Sequence, residues 1–199
     1  MRDIPGQATQ ENLNIVIDET DRLTSLVDDI LSISKIQSGN VELDKEDFSI
    51  TTEVSSLVAN YSAMTKNLGY TFFFDSDSDA TVNADKKLIL EAVVNLINNA
   101  MTHSGDKKAV LVRQKTNGKY VRIEVSDRGP GIPPDQLDLI WDRYYKVDKE
   151  HRRQENGSGL GLSIVKSIVT LHKGNYGVRS REGENSGSTF WIELEKKQQ

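Results

Sequence analysis

Residues 157–166 read GSGLGLSIVK: three glycines at alternate positions, Gly157, Gly159 and Gly161, run directly into an apolar stretch with helical period. Glycine serves left-handed turns, so a glycine cluster on its own is compatible with a plain flexible loop. At a helix start it has a second use. Unpaired N–H groups and the positive end of the helix dipole collect there, and residues without a Cβ let an anion approach that backbone closely. Spacing excludes two familiar phosphate loops. A dinucleotide fingerprint would want glycine at Leu162 and a strand just upstream, where the chain has the polar run RRQEN. A Walker loop would end in Gly-Lys-Ser or Gly-Lys-Thr, and neither tripeptide occurs. If this loop holds phosphate, it belongs to another architecture.

The chain around it has 199 residues, room for one sizeable domain and an appendage, with 36% hydrophobic and 28% charged residues as in ordinary globular proteins. A net charge of −5 argues against a broad nucleic-acid surface. The absence of cysteine removes disulfides and thiolate metal sites. No stretch approaches 18 uninterrupted apolar residues, and the start MRDIPGQATQ has no signal-peptide core.

Upstream, residues 8–38 place Leu13, Val16, Leu23, Leu26, Val27, Ile30, Leu31 and Ile33 mostly three or four apart, closed by Gly39. This is one long amphipathic helix, either lying on the body or forming half of a helical hairpin or bundle that needs a partner. VELDKEDFSI then alternates as a strand, 51–67 reads as a helix, and YTFFFD and ATVNA read as strands. Asp85 caps a helix reaching about Ser104. Strands follow at about 108–116 and 119–126, a loop-rich stretch at 127–158, a helix at about 159–172, and strands near 175–181 and 188–195. The Gly39–Asn40 turn divides a helical arm, residues 1–39, from an α/β body, residues 40–199.

Three clusters carry chemistry. In EAVVNLINNAMTHS, Ile89, Val93, Leu96, Ile97 and Ala100 share one helical face while Glu91, Asn95, Asn99 and Thr102 line the opposite one. Asparagine costs up to about 0.7 kcal/mol against alanine inside a helix, so Asn95, Asn98 and Asn99 look placed rather than tolerated. A neutral amide offers a carbonyl to a hard cation or an N–H to a phosphate without repelling a nucleotide. In VSDRGPGIPPDQL, Asp127 ends an alternating strand beside Gly129 and Gly131; it is either part of a polar turn or a carboxylate able to accept a hydrogen bond from an exocyclic amine such as that of adenine. WDRYYKVDKEHRRQEN sets Trp141, Tyr144 and Tyr145 among Lys146, Lys149, His151, Arg152 and Arg153, either a solvated loop pinned by aromatics or a lid hinged by glycines.

In this order the clusters resemble the catalytic, ATP-binding domain of bacterial sensor histidine kinases, in the superfamily that includes gyrase B and MutL. NLINNA resembles the family's N box, DRGPGIP and GSGLGLSIVK its two glycine boxes, WDRYYKVD its aromatic box and GSTFWIEL its closing strand; residues 8–38 resemble the second helix of the dimerisation and phosphotransfer hairpin. The resemblance implies a Bergerat-type two-layer α/β sandwich, a mixed sheet with helices on one face, preceded by the helical arm, with ATP between helix and lid. It implies that Asp127 reads the adenine amino group, Asn99 ligates Mg²⁺, Asn95 orders the metal and its waters, and Lys146 reaches the phosphates. Gly129, Gly131, Ile132 and Tyr145 would complete the nucleotide site with Gly157, Ser158, Gly159, Leu160, Gly161 and Leu162 of the closing loop, and Thr189 would support the adenine floor near Asp127. In hydrolytic relatives a glutamate at the position of Asn95 activates water; an amide cannot, which suits transfer to a protein.

Two departures stand out. Where the family often has a basic residue and an aromatic, this chain has Thr102 and His103, so the phosphate grip would rest on Lys146 and the lid while His103 stacks on adenine. No His-Glu-x-x-Thr-Pro acceptor motif occurs, so the chain is expected to be a fragment whose phosphoacceptor hairpin is missing. His103, His151 and His172 have plain readings, the last as a cation near a helix C-terminus. The expected partners are the hairpin of the same kinase, a response regulator and a second protomer in the full-length protein, in the cytoplasm, with membrane contact only through absent regions. A degenerate nucleotide-binding or interaction module without kinase activity is the competing reading; the missing glutamate disfavours a gyrase-like ATPase.

Overall fold

The computed structural model describes residues 10–37, 42–145 and 159–197. Its elements follow the two hydrophobic periods of the sequence. Helix α1 spans Gln10–Gln37; β1 Lys45–Ser49, α2 Ile50–Thr65, β2 Thr71–Ser76, β3 Thr81–Asp85 and α3 Lys86–His103 follow. Strands β4, Ala109–Asn117, and β5, Tyr120–Ser126, lead to α4, Gly161–Leu171, and then to β6, Asn175–Arg181, and β7, Gly187–Glu195.

Caps fix the starts of the two helices that follow strands. The Ser49 side chain accepts the Thr52 N–H at the head of α2, and the Asp85 side chain accepts the Leu88 N–H at the head of α3. The Asp85 cap is the one the sequence predicts. VELDKEDFSI shortens to β1, because only β3 is available to pair with it and only Phe48 of the strand is buried.

The main sheet has strand order β2-β4-β5-β7-β6, with β2 and β4 parallel and all other neighbours antiparallel; β1 and β3 form a separate antiparallel pair. This is the mixed sheet expected from the sequence. Alternation sorts the strands into two faces. Val110 and Val112, Val121, Ile123 and Val125, and Phe190, Ile192 and Leu194 are buried in one core with Val54 and Val58 of α2, Ile89 to Ala100 of α3, and Ile164 to Val169 of α4. Trp141 joins them from the loop after β5, edge-on to Tyr176 (4.7 Å) and Phe190 (6.0 Å). The opposite face carries ion pairs instead of a second layer. Glu124, only 3% exposed, lies between Arg179 (2.6 Å) and Lys115 (3.3 Å), and Arg122 pairs with Glu193 (2.8 Å) while its guanidinium covers the Trp191 ring.

Helix α1 differs from the rest. Leu13, Val16, Leu23, Val27 and Leu31 are exposed, whereas Leu26 packs against the core and the helix lies against α4. The Gly39–Asn40 boundary falls outside the described residues.

The two kinds of apolar position should respond differently to truncation. Ile97→Ala removes methyls from a fully buried site, and should cost about 2–5 kcal/mol. Leu23→Ala, at a residue 55% exposed, should cost less than about 0.5 kcal/mol. Urea unfolding at neutral pH measures both.

Candidate functional site

The burial of Ile89, Val93, Leu96, Ile97 and Ala100 settles the rotation of α3 and turns Asn95 and Asn99, both half-buried, to its other side. Asn95 Nδ2 donates to the Glu91 carbonyl at 3.0 Å, and its Oδ1 lies 2.9 Å from where a Cβ on Gly161 would stand. The first turn of α4 therefore sits directly on the asparagine. Among the described residues, the Asn99 amide has no hydrogen-bond partner. Asn98, the third asparagine, has a structural duty: its Oδ1 accepts the Tyr61 hydroxyl at 2.9 Å and ties α3 to α2. The Thr102 hydroxyl donates back to the Asn98 carbonyl at 2.9 Å, as helical threonines commonly do.

Asp127, just beyond β5, closes the trough at the other end of α3. The residue is buried, and its Oδ1 accepts the N–H of Gly129 at 2.8 Å and of Ser188 at 3.2 Å. Its Oδ2 is buried with no partner among the described residues. Burial pushes the carboxyl above the usual carboxylate range, with the two backbone N–H groups and nearby His103 pulling the other way. Gly129 passes so close to the His103 carbonyl that a Cβ would stand 2.0 Å from that oxygen. Any side chain at 129 would push the loop off α3.

A hydrogen-bond chain holds the glycine turn in place. Ile132 N–H donates to Ser180 Oγ (2.8 Å), Ser180 shares a hydrogen bond with Ser188 (2.9 Å), and the Ser188 N–H reaches Asp127. Gly131, at φ +85°, lies against the Arg181 carbonyl, and Ile132 is half-buried on the core.

The second glycine cluster starts with Gly159 at φ +71°, whose carbonyl accepts the Tyr144 N–H at 2.9 Å. A β-carbon there would be strained and would meet the Tyr144 backbone at 3.0 Å. Tyr144 and Gly159 are therefore in direct contact, with Tyr145 half-buried on the core. Leu160 and Leu162 serve packing: Leu160 is 1% exposed and Leu162 leans on the core. Lys146, Gly157 and Ser158, and with them the expected lid, lie outside the described residues.

One expected residue is misplaced. Thr189 pairs with Ser126 on the outer sheet face, their hydroxyls 2.9 Å apart, because odd-numbered positions of β7 point away from the helices. Ser188 takes the place beside Asp127: its carbonyl accepts the Asp127 N–H at 2.9 Å and its N–H donates to Asp127 Oδ1 at 3.2 Å. The alternation was available in the sequence, since the apolar Phe190, Ile192 and Leu194 share Ser188's parity. His172 also departs from its reading as a cation. Its Nε2 accepts the Asp85 N–H at 3.0 Å, and burial pushes the imidazole below its ordinary range.

The site is thus a trough along α3. From His103 and Asp127 at one end to Asn95 and Gly161 at the other is two helical turns, about 12 Å. One end offers a desolvated acceptor, the other glycine backbone at a helix start with two amides.

Residues 84–198 match the family described as histidine kinase-, DNA gyrase B-, and HSP90-like ATPase. The sequence is 31% identical over 179 residues to the sensor-like histidine kinase SenX3 of Mycobacterium tuberculosis (strain ATCC 25618 / H37Rv), covering 90% of this chain and 43% of that protein. It is 34% identical over 185 residues to the sensor protein kinase WalK of Staphylococcus aureus (strain MRSA252), covering 92% and 30%. The chain spans less than half the length of these relatives. Full-length ShkA, solved in complex with AMPPNP, superposes with TM-score 0.77 at 26% identity over 96% of this chain and 40% of that one. Histidine kinase ThkA, solved in complex with the response regulator protein TrrA, gives 0.75 at 26% identity over 98% and 53%.

A buried carboxylate with one unpartnered oxygen makes a checkable demand on stability. Its folded-state pKa is raised, so ionising it opposes folding: the cost sets in as pH rises past the ordinary carboxylate value of 3.8 and is complete above the raised folded value. Asp127→Asn keeps the acceptor for Gly129 and Ser188 without the charge. The variant should equal or exceed the parent in stability at pH 7, with the advantage shrinking as pH falls toward 3.8; urea midpoints across pH 4–7 measure it.

Proposed function

Because the chain belongs to the family of histidine kinase-, DNA gyrase B- and HSP90-like ATPases, we propose that it is the ATP-binding catalytic portion of a sensor histidine kinase. It would act in two-component signalling and pass the γ-phosphoryl group to a histidine outside these 199 residues. The observation that carries this reading is Asp127 Oδ2, a buried acceptor with no hydrogen-bond partner among the described residues, set about 12 Å along α3 from the Asn95–Gly161 contact. An exocyclic amine is the group it suits, since it can donate to Oδ2 while Gly129 and Ser188 hold Oδ1.

The residues present fit an adenine nucleotide with Mg²⁺. When bound, ATP supplies the phosphoryl group and the ion neutralises its charge. Asp127 reads the base, His103 lies beside it, and the glycine backbone around Gly159 and Gly161 offers N–H groups to the phosphates at the head of α4. Asn99, with its amide unengaged, serves as the protein's ligand to the ion. Asn95 packs the head of α4 onto α3, and being an amide it withdraws no proton from water, which favours a protein acceptor over hydrolysis. Lys146, Gly157 and Ser158 are assigned to the lid over the phosphates.

Helix α1, with Leu13, Val16, Leu23, Val27 and Leu31 exposed, is assigned as the second helix of the phosphotransfer hairpin, its apolar stripe available to the partner helices of a dimer. The ThkA–TrrA complex supports a response regulator as the downstream partner. The location proposed is the cytoplasmic side of a membrane-anchored sensor; among the described residues, no helix is long and apolar enough to cross a membrane.

Two measurements test this. Asp127→Asn should weaken Mg·ATP binding at least about tenfold, equivalent to about 1.4 kcal/mol, and leave inorganic triphosphate almost unaffected; equal loss for both removes Asp127 from base recognition. With γ-labelled ATP, these residues alone should take up no acid-labile label, and adding the acceptor hairpin in trans should give labelled hairpin. Transfer requires the nucleophile held near 3 Å and in line. Acid-labile label abolished by changing His103, His151 or His172 would place the acceptor within these residues.

A further inference from the structure

Helices α3 and α4 touch at both ends. At one, Gly161 lies on Asn95. At the other, His172, the C-cap of α4, accepts the Asp85 N–H on Nε2 at 3.0 Å, while its Nδ1 lies 2.8 Å from the Ile168 carbonyl. Asp85 is itself the N-cap of α3, with Oδ1 on the Leu88 N–H (3.1 Å) and Oδ2 on the Asp44 N–H (3.2 Å). One imidazole therefore joins the last turn of α4 to the residue that starts α3. The lengths between the two contacts match: Asp85 to Asn95 rises about 15 Å along α3, and Gly161 to His172 about 16 Å along α4.

The apolar face of α4, with Ile164, Val165, Ile168 and Val169 buried, holds the helix down but is poor at fixing it lengthwise. Hydrophobic contact is non-directional. A hydrogen bond at the helix end is directional, and it sets the axial position of a rigid rod whose other end carries Gly161.

The bridge exists in one protonation state. With Nδ1–H donating to Ile168, Nε2 must keep its lone pair to accept from Asp85; a second proton would set N–H against N–H. Two charged groups face the ring: Lys45 from β1, which opposes protonation, and Asp85 from the junction of β3 and α3, which favours it. Burial is the larger influence and holds the ring neutral near pH 7.

We propose that His172 is a positioning residue for the nucleotide site: neutral, it locks α4 to the start of α3 and so holds the Gly161 backbone on Asn95, and a proton on Nε2 releases that lock. The role rests on reading the Asn95–Gly161 contact as the phosphate end of the site. It makes nucleotide binding acid-sensitive through a residue that touches no nucleotide.

The test compares the parent with His172→Gln, whose side-chain oxygen can accept from Asp85 without titrating, and His172→Phe, which keeps a ring and loses the acceptor. Mg·ATP dissociation constants by calorimetry and amide hydrogen exchange of residues 161–165 without nucleotide are read at pH 7.5 and 5.5, with circular dichroism to confirm folding. Between these pH values the parent should weaken about fivefold more than His172→Gln, as for the loss of roughly one hydrogen bond, and its exchange at 161–165 should quicken. His172→Phe, folded, should bind weakly and exchange fast at both. A His172→Gln profile that falls with the parent's, or a folded His172→Phe with parental affinity and exchange, overturns the proposal. No Mg·ATP binding by the parent at pH 7.5 overturns the nucleotide reading, and the role with it. The exchange arm identifies that case, because it shows whether the joint itself responds to pH without any nucleotide.

Discussion

The buried stripe of α3, Ile89, Val93, Leu96, Ile97 and Ala100, admits one rotation of that helix against the sheet, and the placement of every other group follows from it. Each of these side chains is fully buried. A rotation of 100°, one residue, would carry Asn98 in one sense, or Asn95 and Asn99 in the other, into these buried positions, with about 1.5–3 kcal/mol lost for each large side chain returned to water. With the rotation fixed, Asn95 and Asn99 face outward along one line. Asn95 then receives the head of α4, and the His103 carbonyl at the far end admits only glycine at 129. The trough exists because one hydrophobic stripe leaves the opposite stripe nothing else to do.

Electrostatics then differentiates the two ends. At Asp127, desolvation works against the charge and two backbone N–H groups offset it in part. An acceptor in that condition gains more from a new donor than a solvated one would, since it sheds an unsatisfied buried oxygen in doing so. At Asn95 and Asn99 there is no charge, which matters where a polyanion must approach. The charge on the outer sheet face is of another kind: Glu124 is as deeply buried as Asp127, yet Arg179 and Lys115 engage both of its oxygens. Two buried carboxylates three residues apart, one in β5 and one just beyond it, differ in whether an oxygen is left over, and of the two Asp127 has one.

Much of this was legible in the sequence where a single local rule decides. The α3 stripe and its Asp85 cap follow from helical period and capping chemistry, and the individual strands follow from their alternation, while the mixed order of the sheet comes only from the family resemblance. What escaped depended on long-range partners. The resemblance puts Thr189 on the adenine floor, but the pairing of β5 with β7 sets Ser126 opposite it and leaves Ser188 beside Asp127. His172 obeyed the rule that cations suit helix C-termini until burial and the Asp85 N–H, 87 residues away, required a lone pair instead. Residues 42–44 continue the alternation of a strand but join no ladder, because β3 ends at Asp85 opposite Lys45 and Asp44 N–H turns to the Asp85 side chain instead. In each case the local signal was sound and a partner distant in sequence decided the outcome.

Helix α4 is where these long-range constraints meet. Its head lies on Asn95, its tail is bonded to the cap of α3, its apolar side is sealed into the core, and its flank receives α1. An eleven-residue helix behaves as a rigid rod, so displacement at any one of these contacts is carried to the others. Of the four, the packed face is the strongest and the least directional, while the Gly161 and His172 contacts are weaker and geometrically strict. The position of the glycine backbone relative to Asn95 is therefore set by two small polar contacts on a scaffold that hydrophobic burial merely holds together. The arm α1, exposed at Leu13, Val16, Leu23, Val27 and Leu31 but seated at Leu26, rests against this same helix, so it packs on the element whose two ends are held by strict polar contacts.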